Sequence, residues 1–421
     1  MATSSYLNRS TPGVYITEID AFGTSIVGVA TAVPLFVGYT ECAGDPTTGN
    51  PLYNTPVKIS SMAEFNRYFG GPAPFHYLVQ PTSSLEPDLI AEMNDGAGGS
   101  TAQSFDLVRR AGMPAFNLYW QMRLFFANGG GDCYIVSAGS YWANQQPAEA
   151  GSAAATWLPG SIAASDLIDA LAAGGLATGP TMIVIPEACT LTQADYASVA
   201  QAMLAQASTL QDRMAILDLP NCLEATTFAA LQDCQSNFWE AIAPQIASAS
   251  YGAAYAPGLN STIVGRGDVL FPALAGLTPM ANVAINGILT TQANSLYKTA
   301  QLSSVQSAIA AAFPLPAGTG VPNDVQYSGD ASNYPAPVSN PGGTVAWQIA
   351  LTNLLVNTLP IYAQIEDMVA DRIDVQPPSG MLAGVWTKSD TMSGVWNAPA
   401  NIALAAVSGP LYAMSDAEQG G

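Results

Sequence analysis

The residues able to do chemistry in this chain are few, and their spacing gives little to catalysis. A single histidine, His76, lies in a Gly/Pro-rich stretch, and one imidazole leaves no multi-histidine metal site. A serine nucleophile could use His76 as its base, yet no G-x-S-x-G elbow occurs, and a packing or surface histidine is the plainer reading. Asp218 closes an apolar run in "AILDLP", the position where α/β enzymes often hold a carboxylate ligand; the same placement lets it cap the turn before Pro220. The glycine-rich "NGGGD" at 128–132 precedes a strand instead of joining a strand to a helix. It also lacks the lysine of a phosphate loop. "RGD" at 266–268 is a three-residue match without weight. Cys42, Cys133, Cys189, Cys222 and Cys234 are odd in number and form no C-x-x-C, which fits free buried thiols in a reducing compartment. These observations give no catalytic residue, no cofactor and no metal.

Composition narrows the classes further. The 421 residues are 49% hydrophobic and 10% charged, with a net charge of −20. By length the chain holds two or three domains. Its acidity repels nucleic acid and anionic membrane. About a quarter of residues are charged in an ordinary soluble domain. Much of this surface must therefore be neutral, which suits packing against copies of the same chain, and suits a secreted or simply alanine-rich protein too. The N-terminus shows no basic segment followed by an apolar core, so no secretory signal is expected. The longest apolar window, about 345–363, contains Gln348, Asn353, Asn357 and Pro360; it reads as a core helix ending near Leu359 and not as a membrane span.

The elements that would position these residues follow from periodicity. "VPLFVGYTE" (33–41) is a continuous apolar strand. "SSMAEFNRYFGG" is a helix with Ser60 or Ser61 as its N-cap, Glu64 in its first turn and Gly70-Gly71 as its stop. Residues 116–140 read as helix, glycine turn and strand. Between 164 and 219 comes a helix capped by Ser165, a bare strand "TMIVIP", an amphipathic helix and a second bare strand "RMAILDLP". Tyr196, Val199, Ala200, Met203 and Leu204 make one stripe of that helix. Strand, helix, strand with uniformly apolar strands is a βαβ unit in a sheet buried on both sides. Residues 72–115 read as a loop or insertion, 260–345 as an irregular surface insertion, and 349–371 as helix.

Two segments do not fit an enzyme plan. "TPGVYITEID" opens on the turn pair Pro12-Gly13, continues as a strand through Val14, Tyr15, Ile16 and Thr17, and closes on Glu18. Val14 and Ile16 share one face, Tyr15, Thr17 and Ile19 the other, so both faces are covered. It is either the first strand of the chain's own sheet or an arm completing a sheet in another subunit. "QPPSGMLAGVWTKSDTMSGVWNAPAN" carries Pro377, Pro378, Gly380, Gly384, Trp386, Gly394, Trp396 and Pro399. Glycine and proline fix the backbone path and tryptophan buries large area, so it reads as a packed structural joint.

These same two segments, "PGVYITEID…GVATAVPLFVGYT" and "PPSGMLAGVWTKSDTMSGVWNAPAN", resemble signatures of contractile tail sheath proteins, found in contractile-tailed phages and in related extracellular injection particles. "FFANGGGDCYIVS", "MIVIP" and "DRMAILDLP" resemble that family's central α/β domain, and "YGAAYAPGL" (251–259) the segment after it, where an aromatic-aromatic-Pro-Trp-Leu form is usual. Matching pieces run in order from residue 12 to about 418, while 72–115 and 260–345 look like variable insertions. The resemblance implies a structural, non-enzymatic subunit that polymerises helically around an inner tube and contracts to drive that tube through a target envelope. Pro12 to Glu18 would be the linking arm. The implied partners are other sheath subunits, the inner tube protein, baseplate proteins and terminator or cap proteins, with no nucleic acid and no membrane insertion. The implied location is the producing bacterium's cytoplasm, then the assembled virion or injection particle. The family continues past "LYAMSDAEQ" into a further C-terminal domain, so a truncated or separately encoded end is expected here. The competing expectations are an α/β hydrolase-like or carbohydrate-active enzyme around Asp218 and His76, and a surface binding protein. The expected fold is a multidomain α/β (α+β) chain. It has an arm (1–24), a first core part (25–150), a central βαβ-containing domain (151–259), an insertion (260–345), and a return helix with the joint (346–421).

Overall fold

The computed structural model describes residues 31–94, 99–110, 113–141, 161–276, 279–316 and 344–419. The arm residues Pro12 to Glu18 lie outside the described residues. Strand β1 (Pro34–Thr40) is buried at every position. After β2 (Val57–Ile59), helix α1 (Met62–Phe69) starts as its sequence dictates. The Ser61 hydroxyl accepts the Glu64 N–H, the Glu64 carboxylate accepts the Ser60 N–H, and Gly70 at φ +81° ends the helix.

The loop expected over 72–115 is corrected. β3 (Tyr77–Pro81), β4 (Leu89–Asn94) and β5 (Ser100–Arg109) form an antiparallel sheet in the order β3-β5-β4. Tyr77 and Val79, Leu89 and Ala91, and Phe105 and Leu107 alternate onto its buried face. The flanking Gly, Pro and Ser residues obscured that short alternation.

Helix α2 (Leu118–Ala127) and strand β6 (Cys133–Ser140) follow. Helix α3 (Ala164–Gly174) has Ala163 at its N-cap; Ser165, expected to cap it, lies within the first turn with its hydroxyl on Asp166. Then come β7 (Met182–Val184), α4 (Gln193–Leu210), β8 (Met214–Asp218), α5 (Phe228–Ile242) and β9 (Gly252–Tyr255). Tyr196, Val199, Ala200, Met203 and Leu204 of α4 are buried, as their spacing requires. The strands make one sheet, β2-β6-β1-β7-β8-β9, parallel throughout except for β2. Its five parallel strands run 2-1-3-4-5, a doubly wound order.

The insertion expected over 260–345 is also corrected. After β10 (Leu259–Ser261), α6 (Val283–Leu296) and α7 (Thr299–Ala312) are regular helices. They are followed by α8 (Thr344–Thr358) and α9 (Pro360–Ile373), with Pro360 at the first position of α9, where its missing N–H costs nothing. Ile285, Ile288 and Leu289 of α6 and Val305 and Ile309 of α7 share one core with Leu355, Tyr362 and Ile365 and with the β3-β5-β4 face. These helices are thus core elements and not surface elaborations. β11 (Val375–Gln376), α10 (Ser379–Ser393) and β12 (Val407–Pro410) complete the chain; β11-β10-β12 is a second small antiparallel sheet.

The parallel sheet is covered on both faces. Leu35, Val37, Val136, Ile183, Ala215 and Leu217 pack on α3, α4 and α5. Phe36, Ile135, Val184 and Ile216 pack on α1, α2 and α10. The chain is therefore a mixed α/β protein, with a three-layer module and an α+β module joined through α9, β11 and α10. All five cysteines are buried and unpaired. Among the described residues no helix is long and apolar enough to cross a membrane.

Candidate functional site

The polar groups gather where the parallel strands end. Asp218, the last residue of β8, is 4% exposed. Its carboxylate accepts the Ser379 N–H at 2.8 Å and the Ser379 hydroxyl at 2.5 Å, and so caps the start of α10 from across the sheet. Burial pushes its carboxyl up to about 7, against the lowering effect of the two Ser379 bonds. Glu187 lies three residues beyond β7 and is fully buried. It accepts the Leu118 N–H at 3.1 Å and so caps α2; burial pushes its carboxyl up to about 8. Gly38 of β1 makes room for it, since a Cβ there would stand 2.3 Å from Glu187 Oε2.

The β1/β7 edge is the switch point at which doubly wound sheets bind ligands. Here the protein's own carboxylates occupy the strand ends and hold its own helices. A groove of about 570 Å³ passes nearby, lined in part by Tyr77, Arg109, Trp120, Asp195 and Arg372, but by neither Asp218 nor His76. His76 is buried with Nδ1 at 3.1 Å from the Pro272 carbonyl; desolvation and then the Arg110 charge push its pKa down to about 3.

Helix α10 packs directly on α2, and two glycines allow it. A Cβ on Gly384 would stand 2.5 Å from the Phe125 carbonyl oxygen; one on Gly380 would stand 2.5 Å from Gln121 Oε1. The Gly380 N–H donates to Gln121 Oε1 at 3.0 Å, and Gln121 Nε2 donates to Gln376 Oε1 at 3.0 Å. Asp218 and Gln121 thus satisfy the first two N–H groups of α10, and Pro377 and Pro378 before it have none to satisfy. Gly394 at φ +81° ends the helix.

The other end of α10 holds the front of the body. Thr387 donates to the Ala32 carbonyl at 3.0 Å, and Thr31 donates to the Asp390 carboxylate at 2.8 Å. The Trp386 indole N–H donates to the Tyr255 hydroxyl at 3.2 Å. Beyond the helix, Asn128 at the end of α2 pairs with the backbone of Ala405, accepting its N–H at 2.7 Å and donating to its carbonyl at 3.0 Å. Five residue positions later the chain ends strand β12.

The joint expected from sequence is therefore mostly a straight helix. Gly380, Gly384 and Trp386 meet α2 and the sheet. Gly394, Trp396 and Pro399 lie past the helix, and Trp396 is 82% exposed instead of buried. Sequence reading missed Glu187, Gln121, Gln376 and Asn128. "IPEAC" offered the one available signal, an acid three residues past a buried strand at the switch point.

No family model matches the chain, and no curated protein matches it. Solved structures do. The anti-feeding prophage (AFP) baseplate, six-fold symmetrised, matches at 17% identity and TM-score 0.38, over 98% of this chain and 62% of that one. The AFP helical sheath in its contracted state matches at 17% and 0.36, over 95% and 58%. A PVC extracellular contractile injection system sheath complex, also contracted, matches at 15% and 0.34, over 98% and 60%. The chain spans about three fifths of the length of these chains, and the superpositions are loose.

Proposed function

We propose that the chain is a structural subunit of a contractile sheath. Copies polymerise head to tail around an inner tube, since a heterologous contact that does not close gives a helix. Contraction is a change between two packings of rigid bodies, with the arm at Pro12 to Glu18 keeping neighbours linked. Its partners are then further sheath subunits, the inner tube, baseplate and terminator proteins. No catalysis is needed, because the energy resides in a metastable lattice. The site is a bacterial particle, whether phage or injection system.

One observation supports this reading most. Helix α10 bonds the front of the body at Thr31 and Ala32, stands on the sheet through Asp218, and packs on α2, which in turn holds Ala405. A pull on a segment preceding Thr31 therefore passes into the rigid core. The carboxylate at the enzyme-like position is meanwhile bound to Ser379. The test is electron microscopy of the purified chain mixed with its inner tube protein. Tubes with a helical repeat support the reading; monomers over a wide concentration range with tube protein present contradict it.

A further inference from the structure

Asp218 ends β8 and Glu187 lies three residues past the adjacent parallel strand β7, and each caps one helix of a touching pair, α10 and α2. Gly380 and Gly384 bring those helices into backbone contact, so the pair seats or lifts as a unit. Among the described residues no cation is set against the two acids. The titratable groups set against Asp218 are Tyr196 from α4 and Cys189 and Cys222 from the turns after β7 and β8; β9 places Tyr255 beside it in register. Glu187 faces Tyr39 of β1 and Cys189, and Tyr39 in turn donates to Asp166. Burial pushes the phenols upward; the hydrogen bond between the two thiols raises Cys222 and lowers Cys189, whose net shift is still upward through burial and nearby acids, so all stay neutral. The helix groups that bond the two acids, Ser379 of α10 and Leu118 of α2, carry no charge.

We propose that Asp218 and Glu187 form a proton-operated latch: protonated, they hold α10 and α2 on the sheet; ionised, they release the start of α10 and with it the grip of Thr387 and Asp390 on the front of the body. A buried carboxylate without a cation is costly, and the partial positive charge of a helix start offsets only part of that cost. Each opening step loses one proton to solvent and moves no other atom between molecules.

Hydrogen–deuterium exchange of the full chain between pH 5 and pH 8, corrected for intrinsic amide rates, reads the latch. With Asp218 at about 7 when closed and 3.8 when open, Asp218 alone raises the opening constant of α10 about a hundredfold over that range, and Glu187 adds to it. Asp218→Asn preserves an acceptor for the Ser379 N–H and a donor for its hydroxyl while fixing neutrality, so Asp218's share of the rise is lost and the slope against pH falls, while the share carried by Glu187 remains. Glu366→Gln, a buried acid on α9, leaves it unchanged. If Asp218→Asn does not fold, infrared titration of the buried carboxyl C=O band in the unmodified chain replaces it; the band is expected to vanish over the same pH range in which α10 opens. A flat α10 profile, an unchanged slope in Asp218→Asn, or loss of the band with α10 still protected overturns the latch.

Discussion

Helices α10 and α8 are each 15 residues long, and they are held in opposite ways. Helix α10 is held by small residues and directed bonds: Gly380 and Gly384 against α2, Asp218 on Ser379, Gln121 on Gly380, Thr387 on Ala32. Helix α8 is held by bulk. Leu351 and Leu355 are buried in the α+β module's core, and Trp347 meets Phe271 edge to face at 5.5 Å. Its other side still carries apolar Ile349 and Leu354, 44% and 40% exposed. Directed contacts at backbone distance fix one register, whereas bulky apolar contacts tolerate small slides.

If that contrast is right, α10 breaks when atoms are added and α8 breaks when they are removed. Gly384→Leu drives a side chain into the Phe125 carbonyl and is expected to cost ~3 kcal/mol or more, read as a lower urea midpoint. Leu355→Ala empties a fully buried site and is expected to cost about 3 kcal/mol in the same assay. Gly384→Leu with no loss of stability would erase the distinction.

The acids sharpen it. Burial raises the carboxyls of Asp218 to about 7 and of Glu187 and Glu366 to about 8. A raised folded-state value means that ionisation is harder in the native state. The stability these groups contribute is complete below about pH 4 and is lost as pH rises through 7 to 8. The chain is therefore expected to be more stable at pH 6 than at pH 9, with Asp218 alone contributing roughly 1–2 kcal/mol of the difference. Asp218→Asn should remove that share, and an unchanged difference would contradict the assignment. The smallest effects belong to exposed apolar residues. Trp396→Ala and Leu354→Ser are expected to shift stability by about 0.5 kcal/mol or less, measured by thermal melting.

The three-layer module was largely legible in the sequence, because its strands are uniformly apolar and its helices carry local signals. Ser61 with Glu64 announced α1, and the Tyr196 to Leu204 stripe announced α4. The α+β module was not. Buried amides obscure α6: Asn282 just before it and Asn286 within it donate to the Pro314 and Phe313 carbonyls, bonds no local pattern foretells. The strands of the β3-β5-β4 sheet lie among turn-forming residues and looked like a loop. At the site, Asp218 stood out as a strand-end acid, but its partner Ser379 lies 161 residues away. Trp396 was expected inside on size alone and lies outside. Size favours burial only where another surface faces it, and that depends on the fold.

The most direct test of the sheath reading is electron microscopy of the chain with Val14→Pro and Ile16→Pro together, beside the unmodified chain, each with inner tube protein. Proline removes the N–H groups a linking strand must offer. The expected result is tubes from the unmodified chain only, with circular dichroism showing the doubly substituted chain still folded. Tubes of equal length from both chains would contradict the account.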